Sequence, residues 1–205
     1  SEALYLLGTL LGQRGKFEQA LAFLSRALIE SPTNSVYHCN LGVVQQNLGR
    51  FNQAMVSYQL AIKYDQQNTD AYYNLAKLHK QLGQIDAALV NYGHVLSINP
   101  QRFDALINMG NILADMGHFV EAIEHFLKAV NTNTDLTRSH INLGNTYRRM
   151  GLADQAIEAY DHVLDVRCHD GLRIKRTLTF PVIFESVRHI HEWREELTGR
   201  VRELE

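Results

Sequence analysis

Paired cysteine chemistry is missing from this sequence. Its two cysteines, Cys39 and Cys168, lie far apart with no Cys-x-x-Cys spacing. Neither a disulfide framework nor a cysteine zinc site is indicated, and a reducing compartment, the cytoplasm, is the expected location. Net charge is also scarce. Twenty Lys and Arg stand against 22 Asp and Glu, a formal charge of −2, which leaves no global basic field for nucleic acid or anionic lipid. No apolar run reaches the roughly 20 residues of a membrane span. The stretch from Leu4 to Leu11 is leucine-rich but lacks the basic start of a signal peptide.

Catalytic signatures are absent as well. There is no nucleophile motif, no glycine-rich phosphate loop after a strand and no helical His-Glu-x-x-His arrangement. The ten histidines are scattered. His189 and His191, two apart on a helix, point to different faces, and Asp161-His162 and Cys168-His169 are mere neighbours in sequence. The chain by itself is therefore expected to be no enzyme, with no metal and no cofactor.

What is present is a period. A hydrophobic fraction of 45% excludes general disorder, and the chain aligns as residues 1–34, 35–68, 69–102, 103–136 and 137–170. The eighth position is small every time: Gly8, Gly42, Ala76, Gly110 and Gly144. The fifteenth is glycine (Gly15, Gly49, Gly83, Gly117, Gly151) and the twentieth alanine (Ala20, Ala54, Ala88, Ala122, Ala156). Agreement at three independent positions marks an internal repeat.

Apolar residues recur at three and four between these markers, as in Leu4, Leu7 and Leu11 and in Ala20, Leu24, Ala27 and Leu28, which is amphipathic helical spacing. Each repeat is thus expected to be two helices, with the glycine ending the first in the left-handed conformation. Small residues at positions eight and twenty let the helices cross closely, and Leu24, Tyr58, Tyr92, Phe126 and Tyr160 share one position that fills the rest. Pro32 and Pro100 follow the second helix, where a residue without an N–H can stop it. His94 and His162 also share a position and read as recurrent structural choices.

Four asparagines fall at the sixth position: Asn40, Asn74, Asn108 and Asn142, with Leu6 in the first repeat. If the fourth, seventh, eighth and eleventh positions face the core, the second, sixth, ninth and thirteenth face elsewhere. The ninth holds Lys77, Asn111 and Asn145, the second Asp70 and Asp104, and the thirteenth Arg149. These ten residues are the candidate binding site. An asparagine amide can donate to and accept from one peptide unit, so a row of them suits polypeptide backbone. Packed helices lie about 8–10 Å apart and an extended chain advances about 3.3 Å per residue, which gives about one contact per three ligand residues. The alternative is that these amides only tolerate a solvated groove or bond to the neighbouring helix. Lys77, Lys80, Arg138, Arg148 and Arg149 gather toward the C-terminal end and would attract an acidic portion of a ligand.

The Leu-Gly, Gly, Ala, aromatic, Ala, Pro pattern resembles the tetratricopeptide repeat over residues 1–170. Val95, Val163 and Leu152-Ala153 depart from it. The resemblance implies an all-α solenoid, a right-handed superhelix of antiparallel helix pairs whose first helices line the concave side and bind protein or extended peptide. Residues 171–205 leave the pattern. Arg173 to Phe180, punctuated by Pro181, reads as an extended connector, and Ser186 as the N-cap of an amphipathic capping helix with Val187, Ile190, Trp193, Leu197, Val201 and Leu204 on its apolar face.

The segment GLRIKRTLTFPVIFESVRHIHEWREEL resembles the one that joins repeats to the catalytic region in bacterial SPINDLY-like proteins, relatives of O-linked N-acetylglucosamine transferase. That resemblance implies a substrate-recruiting role, with the four asparagines matching those that hold polypeptide in the transferase and a glycosyltransferase domain after Glu205. Starting on Ser1 and in phase with a repeat, the chain is expected to be part of a longer protein. A scaffold that self-associates through an apolar edge of the first repeat, Leu4, Leu7 and Leu11, is the competing expectation.

Overall fold

The computed structural model describes residues 1–132, 134–164, 175–177, 179 and 187–202. Among these, eleven α-helices and no strand are found. The chain divides into two compact units, Ser1–Pro100 and Gln101–Glu205. The first holds α1 (Glu2–Gln13), α2 (Phe17–Glu30), α3 (Ser35–Asn47), α4 (Phe51–Tyr64), α5 (Thr69–Gln81) and α6 (Ile85–Ile98). The second holds α7 (Phe103–Asp115), α8 (Phe119–Asn131), α9 (Leu136–Arg149), α10 (Ala153–Leu164) and α11 (Val187–Arg202). The helices pack as antiparallel pairs, one pair per repeat from α1 to α10.

Every first helix closes in the same way. Gly15, Gly49, Gly83, Gly117 and Gly151 have φ between +73° and +85°. Around Gly49, for example, the Arg50 N–H reaches back to the Gln45 carbonyl at 2.9 Å and the Gly49 N–H to the Gln46 carbonyl at 3.0 Å. Those two bonds satisfy carbonyls that the helix end leaves bare, and a left-handed residue is needed to make them. Starts are less uniform. Asn34, Asn68 and Asp135 cap α3, α5 and α9 with side-chain oxygens that accept backbone N–H groups two to three residues into the helix.

Inside each pair the eighth position meets the twenty-fourth. A Cβ placed on Gly42 would lie 2.6 Å from Tyr58 Cε1, on Gly110 2.5 Å from Phe126 Cε1 and on Gly144 2.3 Å from Tyr160 Cε1. Tyr58, Tyr92 and Tyr160 are fully buried and Phe126 almost so. Glycine therefore fixes how closely the two axes cross.

The buried face of the first helices differs from expectation. Of the expected core positions only the eighth is buried in every repeat; the fourth, seventh and eleventh are mostly half-buried, whereas from the second repeat on the third position (Tyr37, Ala71, Ala105, Ser139) and the tenth (Val44, Leu78, Ile112, Thr146) are buried. A helix in such an array packs against its own partner and also against the second helix of the preceding repeat, as α3 does on α2 and α5 on α4. One core cluster accordingly joins Tyr58 and Ala61 of α4 to Ala71 and Leu78 of α5. In α1 the apolar edge is Leu6, Leu7 and Leu10, 57%, 40% and 45% exposed, rather than Leu4, Leu7 and Leu11. Leu4 and Leu11 are half-buried because they turn toward α2.

The C-terminal segment differs from expectation in two places. Residues 175–177 are helical rather than extended, with the Thr179 N–H and Oγ1 donating to the Arg176 and Lys175 carbonyls at 3.2 and 2.7 Å. On α11, Trp193 and Arg200 are buried while Ile190 and Val201 are exposed. The Arg200 guanidinium lies 4.6 Å from the Trp193 ring centroid and donates to the Thr179 carbonyl at 3.0 Å. Stacking and hydrogen bonds make an arginine the better buried residue there. Ser186, Pro181, Leu204, Cys168 and Arg173 fall outside the described residues. No described helix is long and apolar enough to cross a membrane.

Three glycines separate the two roles experimentally. Gly144→Ala forces a methyl into Tyr160 and is expected to cost about 1–3 kcal/mol as overpacking. Gly117→Ala meets no atom within 4 Å but strains a left-handed backbone, at about 1–2 kcal/mol. Gly93→Ala, in open space within α6, is expected to stabilise by up to about 1 kcal/mol. Denaturant unfolding of the three variants checks this order.

Candidate functional site

The candidate residues come from the same repeat positions of the first helices, a stripe within each unit. Asn40, Asn74, Asn108 and Asn142 are all half-buried at the sixth position, two in each unit. At the ninth, Lys77 is exposed, and Asn111 and Asn145 are half-buried. Asp70, Asp104 and Arg149 are exposed at the second and thirteenth. The stripe thus lies where helical spacing placed it, beside the core and open to solvent.

The asparagines are held from behind. Asn40 Nδ2 donates to the Tyr5 hydroxyl at 2.7 Å, and Asn74 Nδ2 approaches the Cys39 thiol at 3.7 Å, a weak sulfur bond. Both acceptors stand at the fifth position of the preceding repeat. Tyr5 itself stacks on Tyr37, with centroids 4.4 Å apart. Asn142 follows Ile107, whose side chain carries no acceptor, so it is not tied in this manner. Bonding to the neighbouring helix, the alternative role expected of these amides, is thus found at Asn40 and Asn74, and the fifth-position acceptors lie one residue beyond the repeat length away.

Other members of the stripe have internal contacts too. Asn145 Oδ1 accepts from the Tyr160 hydroxyl at 3.1 Å and from Lys175 Nζ at 3.4 Å. Lys77 Nζ sits 5.6 Å from the Tyr73 ring centroid. Arg138 pairs with Asp104 at 3.3 Å and Arg149 with Asp115 at 3.6 Å, each across one repeat. Arg149 also covers the Phe119 ring at 4.9 Å. Two of the arginines expected to draw an acidic ligand are therefore already countered, so the second unit presents amides between neutralised ion pairs. These exposed pairs add little stability; their effect is on the local field.

Burial shapes the titratable groups around the stripe. It pushes the Tyr58 phenol far above its usual range, with Cys39 adding to the effect, so Tyr58 stays protonated and its hydroxyl donates a hydrogen bond to Gln46 Oε1 at 2.9 Å. Burial also raises Tyr160, against the hydrogen bond and charge of Arg148. His94 stacks on Tyr72, centroids 5.0 Å apart, and His162 meets His140 at a tilt of 43°, centroids 4.8 Å apart, in keeping with a structural role for both. Among the described residues no group of three or more His, Cys, Asp or Glu is placed to hold a metal.

His125, on α8 and outside the stripe, has a buried Nδ1 without a hydrogen-bond partner. Burial first, then Lys128, lowers its pKa, while Glu124 acts in the opposite sense. The unfolded chain then binds more protons than the folded one below the ordinary histidine value near 6.5. Stability is expected to fall as pH drops through about 6.5, and His125→Gln should flatten that part of the profile in thermal unfolding measured from pH 7.5 to 5.

Comparison with known proteins gives a consistent picture. Models of the tetratricopeptide repeat match residues 1–26, 69–102 and 101–169, and a model of the TPR repeat matches residues 47–83. No curated protein matches the chain. Among solved structures it is similar to MamA, at 23% identity and a TM-score of 0.70 over 80% of this chain and 90% of that one. It is similar to YrrB, described as a TPR protein with an unusual peptide-binding site, at 23% identity and 0.68 over 84% and 89%. It is also similar to pilF of Pseudomonas aeruginosa, at 20% and 0.76 over 99% and 89%. At such identities the likeness is one of fold.

Proposed function

Because this chain belongs to the tetratricopeptide repeat proteins, a class of protein-binding scaffolds, we propose that its first-helix stripe grips extended polypeptide through asparagine amides. The supporting observation is the tether behind Asn40 and Asn74: with Nδ2 held by the preceding repeat, each amide carries its oxygen and second N–H in a fixed orientation on a half-buried face. A pre-oriented amide binds backbone with less loss of side-chain freedom. The same bonds give the amides a structural task, and the two roles are compatible because an asparagine has more than one donor and acceptor.

The finer proposal is that these repeats recruit substrate for a SPINDLY-like glycosyltransferase, with the resemblance of residues 171–197 as its support; sugar transfer by the whole protein is its test. On this proposal the 205-residue chain alone has no turnover and works in the cytoplasm, where Cys39 stays a thiol. A second reading, self-association, has the exposure of Leu6, Leu7 and Leu10 in its favour. Light scattering that stays monomeric over a wide concentration range removes it.

Asn74→Ala and Asn108→Ala are each expected to weaken an extended peptide by about 0.5–1.5 kcal/mol, a typical net hydrogen bond. Calorimetry on both and on the double variant measures this, and unchanged affinity rejects the groove.

A further inference from the structure

A pocket of about 300 Å³ opens in the stripe of the first two repeats, between α1, α2 and α3. Its apolar wall is Gly12, Leu24, Val43 and Val44, and Asn40 and Asn47 stand at its polar rim. Two repeat positions, the twelfth and the twenty-fourth, account for the space. In the second repeat they are Gln46 and Tyr58, joined by the 2.9 Å hydrogen bond that closes the gap between the two helices. In the fifth they are Arg148 and Tyr160, and in the fourth Ala114 and Phe126, where the ring alone remains. The first repeat has Gly12 and Leu24, which lack the long side chain, the ring and the hydroxyl.

Packing does not demand that glycine. A Cβ on residue 12 would meet nothing nearer than Val44 Cγ2 at 3.5 Å, an ordinary contact, and its φ is not in the left-handed region. Glycine within a helix carries an entropic penalty, so the open space is what its presence provides.

The lining states what fits. No residue around the pocket is charged, so a charged guest would lose hydration without gaining a partner. Asn40 Nδ2 is held by Tyr5 and Asn47 Nδ2 donates to the Val43 carbonyl at 2.8 Å. The amide oxygens are what remain to accept backbone N–H groups on either side of an inserted side chain.

We propose that this pocket takes one large apolar side chain, of the phenylalanine or leucine class, from an extended polypeptide. The proposal rests on the reading of the stripe as a polypeptide groove and deepens it, because an amide row reads backbone alone whereas this pocket selects a side chain. Selectivity then resides in the first two repeats, and the asparagines supply sequence-independent grip along the rest.

The test uses the full 205-residue chain with N-acetyl-phenylalanine amide and N-acetyl-alanine amide as probes, followed by NMR of the Val43 and Val44 methyl groups. The phenylalanine probe is expected to bind at least about tenfold more tightly than the alanine one, as burial of a large apolar side chain implies. Gly12→Gln, which installs the second repeat's own residue, should abolish that preference while leaving the circular dichroism spectrum and melting temperature unchanged or raised. Val43→Lys, the third repeat's residue at that position, is the second variant and should also abolish the preference while keeping the helical circular dichroism spectrum, at some loss of melting temperature because Val43 packs on the core. Equal binding of the two probes, or a preference that survives in both folded variants, overturns the pocket. Loss of peptide affinity in Asn74→Ala without any phenylalanine preference keeps the groove and removes the pocket. A phenylalanine preference with peptide affinity indifferent to Asn74 does the reverse.

Discussion

The contact between the eighth and twenty-fourth positions governs the rest of the structure. A missing side chain on the first helix receives a ring from the second, so close that any Cβ on Gly42, Gly110 or Gly144 would overlap it. The helices are pinned at one depth and one rotation, and the opposite stripe of each first helix is thereby turned outward. Ala76 shows that the rule has latitude: it carries a Cβ, yet it and Tyr92 are both fully buried. There the ring of Tyr92 meets Tyr73 edge-on at 5.9 Å.

From that rotation the chemistry of the stripe follows. Once the eighth position points inward, the sixth lies beside the fifth of the preceding repeat, and an asparagine there finds a hydroxyl at Tyr5 or a thiol at Cys39. An offset of one full repeat, a residue shorter, sets Asp104 beside Arg138 and Asp115 beside Arg149. Two amides become oriented and two arginines, Arg138 and Arg149, are paired, which shifts what a ligand meets there toward hydrogen bonding. Long-range attraction would in any case be screened beyond about 8–10 Å.

The first repeat stands apart chemically. Leu6 replaces the asparagine, Leu24 the aromatic ring and Gly12 the twelfth residue that is long in the second, third and fifth repeats. Each substitution makes that end of the stripe more apolar or more open, and Gly12 and Leu24 both line the pocket under Asn40 and Asn47. A surface that repeats one polar contact and interrupts it once has a natural division between grip and selection.

The sequence by itself determined the helix pairs, their five glycine closures and the pairing of small and large residues across each pair. All of these are local to one repeat and written again every 34 residues, so periodicity exposes them. It also placed the ten candidate residues away from the eighth position's core contact on their own helices, since helical spacing alone separates those faces. Tertiary structure decided what period cannot show: burial at the third and tenth positions, the tether from Asn40 to Tyr5, the acid–arginine pairs between repeats, and an arginine instead of an aliphatic residue buried on α11. Each depends on which side chains of a neighbouring element come within bonding distance, and spacing along one helix names a face without naming what packs against it.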